Sequence, residues 1–136
     1  MANEAKLRVR IENPLPFTIA DTAFEKGALM TLTDPRTCVA NVSGAVVAGI
    51  LAREKVVGDG RTEVACFRRG WFDMVCSGAV LIGEAVMAAD DGNNGIMAAD
   101  VFASGAQIIG HALEAGADGE QILVDVNIGA GGSQIS

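Results

Sequence analysis

Residues 121–128 constrain the fold more than any other stretch. Ile122, Val124, Val126 and Ile128 fall on one side of an extended chain, and Gln121, Asp125 and Asn127 on the other, with Leu123 the exception. Period-two alternation belongs to a half-buried strand. Just upstream stands the corner Gly116-Ala117-Asp118-Gly119, preceded by the mostly apolar run 108–115. An Asp-Gly corner between two such runs predicts a β-hairpin. A weaker copy lies earlier, where 48–53 leads through Val57-Gly58-Asp59-Gly60 into the strand pattern at 63–67.

The rest of the chain fits the same class. Corners recur every eight to twelve residues or so, the spacing of an all-β sandwich or barrel. Gly27-Ala28-Leu29-Met30, Gly49-Ile50, Asp59-Gly60 and Val64 reappear in order as Gly83-Glu84-Ala85-Val86-Met87, Gly110-His111, Asp118-Gly119 and Ile122, about 56 to 61 residues later. That order suggests an internal duplication. Asn13-Pro14-Leu15-Pro16 is expected to break regular structure, Asp34-Pro35-Arg36 to make a type I corner, and Gly70 to mark a break or bulge. Residues 98–104 are the one candidate for a short helix. A chain of 136 residues is one domain by the usual prior. The expectation is an all-β, compact β-barrel domain at 17–128 with at most one or two short helices, an extended N-terminal arm at 1–16 and a flexible, Gly-rich tail at 129–136.

Composition narrows the function. Half the residues are hydrophobic but only 4% are aromatic, so the core must be aliphatic. A net charge of -7 repels phosphate backbones and argues against a nucleic-acid partner. No stretch approaches a membrane span, and Met1-Ala2-Asn3-Glu4 does not open a signal peptide. Cys38, Cys66 and Cys76 are odd in number and lack metal-ligand spacing. They read as small buried hydrophobes in a reducing compartment.

Catalytic motifs are missing. The sequence has no phosphate-binding Gly-rich loop and no Gly-x-Ser-x-Gly elbow. His111 is the single histidine, and it reads as a partly buried structural residue on a strand. Asp90-Asp91-Gly92-Asn93-Asn94-Gly95 has calcium-loop composition but no Glu at position twelve, and reads as a turn. Neither a catalytic group, a cofactor nor a metal is therefore expected. Two features invite contact with a partner. Lys6, Arg8 and Arg10 alternate with Leu7, Val9 and Ile11, which gives either a charge-protected edge strand or an arm that pairs with another chain. Trp71 and Phe72 are adjacent on one strand and must point to opposite faces, one into the core and one outward.

One further pattern suggests a family. Ile109-Gly110-His111-Ala112-Leu113-Glu114-Ala115, then Asp118-Gly119, then Val124-Asp125-Val126 resembles the C-terminal signature of a family of small bacteriophage head decoration (capsid cement) proteins. Gly49-Ile50, Gly60, Val64 and Gly83-Glu84-Ala85-Val86 fit its middle section. The resemblance spans about residues 24–128, and the segments 6–16 and 67–72 depart from it. It implies a tulip-like β-barrel, made in the bacterial host cytoplasm, that joins the virion on the capsid exterior. There it would bind the major capsid protein, as a homotrimer near threefold positions, and stabilise the expanded shell. The contact residues expected are Lys6, Arg8, Arg10, Trp71 and Phe72. Two other readings stand beside it: a small ligand-binding or enzymatic β-barrel using His111 and nearby carboxylates such as Glu114, and another virion structural adaptor.

Overall fold

A computed structural model describes residues 4–39, 46–88, 96–98 and 108–128. These residues form eleven strands and no helix, an all-β fold. In chain order they are β1 (Lys6–Arg10), β2 (Leu15–Ile19), β3 (Leu29–Thr33), β4 (Thr37–Val39), β5 (Val47–Leu51), β6 (Glu63–Phe67), β7 (Arg69–Val75), β8 (Ala85–Ala88), β9 (Ile96–Ala98), β10 (Gly110–Ala112) and β11 (Gln121–Asn127). Strands β2-β4-β3-β5-β6 close into a barrel. The others make a six-stranded sheet, β1-β7-β11-β10-β8-β9. The calcium-like turn at 90–95, nearly all of the candidate helix at 98–104 and the tail at 129–136 lie outside the described residues.

The duplication is present in three dimensions. β7 to β11 repeat the order of β2 to β6, pair for pair. In the barrel β4 runs parallel to β2. In the sheet β9 returns to β7 through a parallel bridge between Cys76 and Ile96, with Ser77 N donating to Ile96 O at 2.7 Å. Each half is held at one end by a pair of matching turns. In the first half Ala28 N donates to Glu25 O and Asp59 N to Val56 O; in the second, Glu84 N donates to Leu81 O and Glu120 N to Ala117 O. The third residue of such a type II turn needs positive φ, which Gly27 (+88°) and Gly83 (+79°) supply without a Cβ clash.

Two hydrophobic clusters follow from the alternation. The barrel interior holds Phe17, Ile19, Met30, Cys38, Ala48, Leu51, Val64 and Cys66, mostly small or aliphatic side chains suited to a narrow lumen. A larger cluster joins Leu29, Val47, Ile50 and Phe67 of the barrel strands to Phe72, Met74, Val86, Ile122, Val124 and Val126 of the sheet. One core therefore spans both halves, each fully buried side chain contributing about 1.5–3 kcal/mol. All three cysteines are free and buried, as expected. The Cys66 thiol is hydrogen-bonded to Cys38 and desolvated, and both effects raise its pKa and keep it protonated.

Three local expectations fail. Pro16 lies within β2, opposite Ala65 of β6. It is tolerated because β4 reaches only Thr18 and Ile19, so no neighbour asks for a donor on that side of Pro16. The Asp34–Pro35 corner is cis, not a type I turn. Gly70 does not interrupt a strand but lies inside β7, where a Cβ would sit 3.0 Å from Val9 O. Its missing side chain lets β1 approach.

Candidate docking surface

All five residues singled out for contact fall on two neighbouring strands. β1 runs antiparallel along β7, pairing Lys6 with Asp73, Leu7 with Phe72, Val9 with Trp71 and Arg10 with Gly70. The register slips between Leu7 and Val9, a β-bulge at Arg8. The bulge separates the three cations that strict alternation would align. Lys6 shares the Asp73 side, and Arg8 Nη1 donates to Asp73 Oδ2 at 2.8 Å. Arg10 falls on the opposite side, with its guanidinium 5.6 Å from the centre of the Phe67 ring. Val9, moved beside Trp71, is exposed.

Trp71 and Phe72 divide as expected. Phe72 is buried against Phe67, edge to face at 5.7 Å. Trp71 remains 37% exposed on the outer face of the sheet. Backbone pairing continues the row outward from Trp71 to Asp125, His111 and Ala85. His111 is exposed, not partly buried. Glu114, its proposed partner in a ligand pocket, spends one carboxylate oxygen on Leu123 N at 2.8 Å. The interior pocket that a ligand-binding or enzymatic barrel needs is not built by these two residues, and Met74, Val86, Ile122 and Val124 occupy the core behind them. No group of three or more metal-ligating side chains occurs among the described residues. None of the described helices could cross a membrane, since the described chain has none.

Two features of this end of the molecule escaped the sequence reading. One is a groove of about 430 Å³ between β1 and the barrel, floored by Leu7, Pro14, Ala65 and Phe67 and rimmed by Arg10, Lys26 and Arg53. Its rim residues lie far apart in sequence, so no local motif marks it. The other is a lock on the first half. Lys55 has a fully buried side chain, and its ammonium donates to Asp21 Oδ1 (3.0 Å), Asp59 Oδ1 (2.8 Å) and Val56 O (2.9 Å). Asp21 also accepts from Gly58 N, and Asp59 from Arg61 N. Lys55 four residues before Asp59 of the Gly58-Asp59-Gly60 turn was the available local signal, whereas Asp21 is distant in sequence.

This lock has a pH signature. The hydrogen bond from Lys55, helped by those from backbone amides, holds Asp59 at about 2, below its ordinary 3.8. Asp21 is also lowered, first by its bond from Gly58 N. A depressed carboxylate stabilises the fold above its unfolded value and loses that contribution as pH falls through the folded value. Amide exchange at Gly58 and Arg61 should therefore accelerate between about pH 4 and 2 beyond the intrinsic rate. In Asp59→Asn the extra acid step at Arg61 should vanish, while that at Gly58, which rests on Asp21, should persist. An unchanged acid profile in the variant would mean that the lock does not hold the loop.

Comparison with known proteins places the fold. No protein-family model matches the chain, and no curated protein matches its sequence. Among solved structures, the head fiber gp8.5 N base of bacteriophage phi29 is similar in fold, with a TM-score of 0.55 over 83% of this chain and 92% of that one, at 11% identity. At that identity the likeness is one of architecture.

Proposed function

We propose that this chain is a structural, non-enzymatic protein of a phage virion that binds the outside of the capsid shell and stabilises it. In this reading its partners are the major capsid protein and further copies of itself, as a homotrimer. The observation that carries the proposal is the β1–β7 edge. Among the described residues β1 lies at the end of its sheet and pairs with β7 alone, and the two strands present Val9 and Lys6 of β1 and Trp71 of β7 to solvent. An edge strand with an exposed aromatic suits strand addition or a flat protein contact. The duplicated aliphatic core beneath supplies a rigid platform. Support comes also from the fold shared with a phage head-fibre base and from the cement-family pattern at Ile109–Ala115 and Val124–Val126.

The mechanism is linkage. A protein that binds the expanded lattice better than its alternatives stabilises that lattice by mass action. Several modest contacts per ring of copies accumulate through multivalency. The test is to mix purified protein with expanded shells that lack it. Saturable binding and a higher shell melting temperature are expected. Trp71→Ala should weaken attachment at least tenfold while changing the stability of the free protein by less than about 1 kcal/mol. Shells that bind no protein at physiological salt would remove the proposal. The head-fibre neighbour favours a second reading, an adaptor that seats another virion component on the head. Stoichiometry separates the two, since a cement protein fills the lattice and an adaptor occupies a subset of positions.

A further inference from the structure

The duplication supplies an internal control for surface residues. The turn Glu25-Lys26-Gly27-Ala28 of the first half corresponds to Leu81-Ile82-Gly83-Glu84 of the second, with the same turn bond and the same Gly conformation. The geometry is equal but the chemistry is not. Glu25 and Lys26 give way to Leu81 and Ile82, which stand 66% and 72% exposed. Turn geometry does not demand aliphatic residues there, and at that exposure they do little for the core. Exposed aliphatics at a tip read as a contact.

The surroundings of this apolar tip are acidic. Glu84 accepts Leu81 N at 2.9 Å, within the turn itself. The turn is laid along 112–116 by Gly83 N to Ala112 O and by the paired bonds of Val80 with Gly116, which brings Leu113, exposed, and Glu114 beside it. Asp118 accepts Gly78 N and Glu120 accepts Ala117 N. These carboxylates are fixed by backbone bonds, so they are preorganised. The result is an apolar knob on a turn braced by Glu84, with Glu114 on the adjoining segment and Asp118 and Glu120 on the 117–120 turn.

The groove described above has the opposite character. Its floor includes Leu7 and Phe67, and its rim carries Arg10, Lys26 and Arg53 with no carboxylate among the described lining residues. It is a basic site in a chain of net charge -7. Glu25, the acid next to Lys26, is hydrogen-bonded to Glu4.

We infer that the Leu81–Ile82 knob of one copy seats in the Arg10–Lys26–Arg53 groove of the next. The occupant is a second copy because both complementary halves, apolar on apolar and acid on base, stand on one chain. A contact between two different patches is head-to-tail, and it closes into a ring when the rotation permits. Charge complementarity makes the contact selective and salt-sensitive. This deepens the proposed function by naming the contact that would join copies into its ring.

The test uses the purified full chain without shells, so its outcome is separate from that of shell binding. Light scattering should show concentration-dependent association that weakens with salt. Ile82→Ser and Arg53→Glu should each raise the midpoint concentration at least tenfold, with unaltered thermal melting as the check that both fold. The two variants mixed should associate better than either alone, because one retains an intact groove and the other an intact knob. A monomeric wild type, a variant that associates like wild type, or a mixture no better than its components would overturn the inference. Docking of the knob on a shell protein instead, or β1 pairing with β1, would appear as one of those results.

Discussion

Phe72→Ala should destabilise the protein by about 3–5 kcal/mol, the range for a buried phenylalanine that leaves a cavity. Phe72 is 1% exposed and belongs to the core shared by barrel and sheet. Its ring meets Phe67 of β6 at 64°, an edge-to-face contact across the junction between the halves. Such a pair adds about 0.5–1.5 kcal/mol beyond area burial. Total stability of a domain this size is about 5–15 kcal/mol, so the loss takes a large share of it. Urea unfolding should show a midpoint shifted strongly downward. The neighbouring Trp71→Ala, on the outer face, should move it little. If the two variants were equally destabilised, the division of this strand into a core face and an outer face would be wrong.

That division was legible because it needs only period two. The same holds for β11, whose alternation survives intact as exposed or half-buried Gln121, Leu123, Asp125 and Asn127 against buried Ile122, Val124 and Val126. The Gly corners were legible too, since positive φ selects glycine wherever the neighbours are. What failed to show depends on partners distant in sequence. The bulge at Arg8 exists because β1 must follow β7, and nothing in Lys6–Arg10 alone encodes it. Pro16 has the local signature of a breaker, but a strand tolerates proline where the neighbour on that side does not yet pair with it. The groove joins Arg10, Lys26 and Arg53 from three separate segments, and Leu81–Ile82 reads locally as an ordinary loop, its apolar character standing out only beside the matching turn at Glu25–Lys26. Local pattern thus reached the elements and the repeat, while the candidate contact surfaces came from tertiary placement.

The repeat itself makes the second large prediction. Gly49 and Gly110 occupy equivalent places, on β5 and β10, and each lies against the strand that follows its corner. A Cβ on Gly49 would come within 2.5 Å of Phe67 O, and one on Gly110 would collide with Asp125 O and stand 3.0 Å from Val126 Cα. Phe67 and Asp125 are themselves equivalent, so one steric requirement is met twice. The obstructing atoms are backbone atoms of a paired strand and cannot swing away as a side chain would. Gly110→Ala must therefore push β10 off β11 or break the Gly110–Val126 register. Its expected cost is about 3 kcal/mol or more, at the top of the range for overpacking. Gly49→Ala should cost as much, and both should lower the yield of folded protein. Gly119→Ala is the control, for its Cβ meets nothing within 4 Å and only the positive φ of +86° is strained. That strain is worth about 1–2 kcal/mol. Equal urea midpoints for Gly110→Ala and Gly119→Ala would mean that the strands part freely, and the close approach would then not be what fixes glycine at these two matched positions.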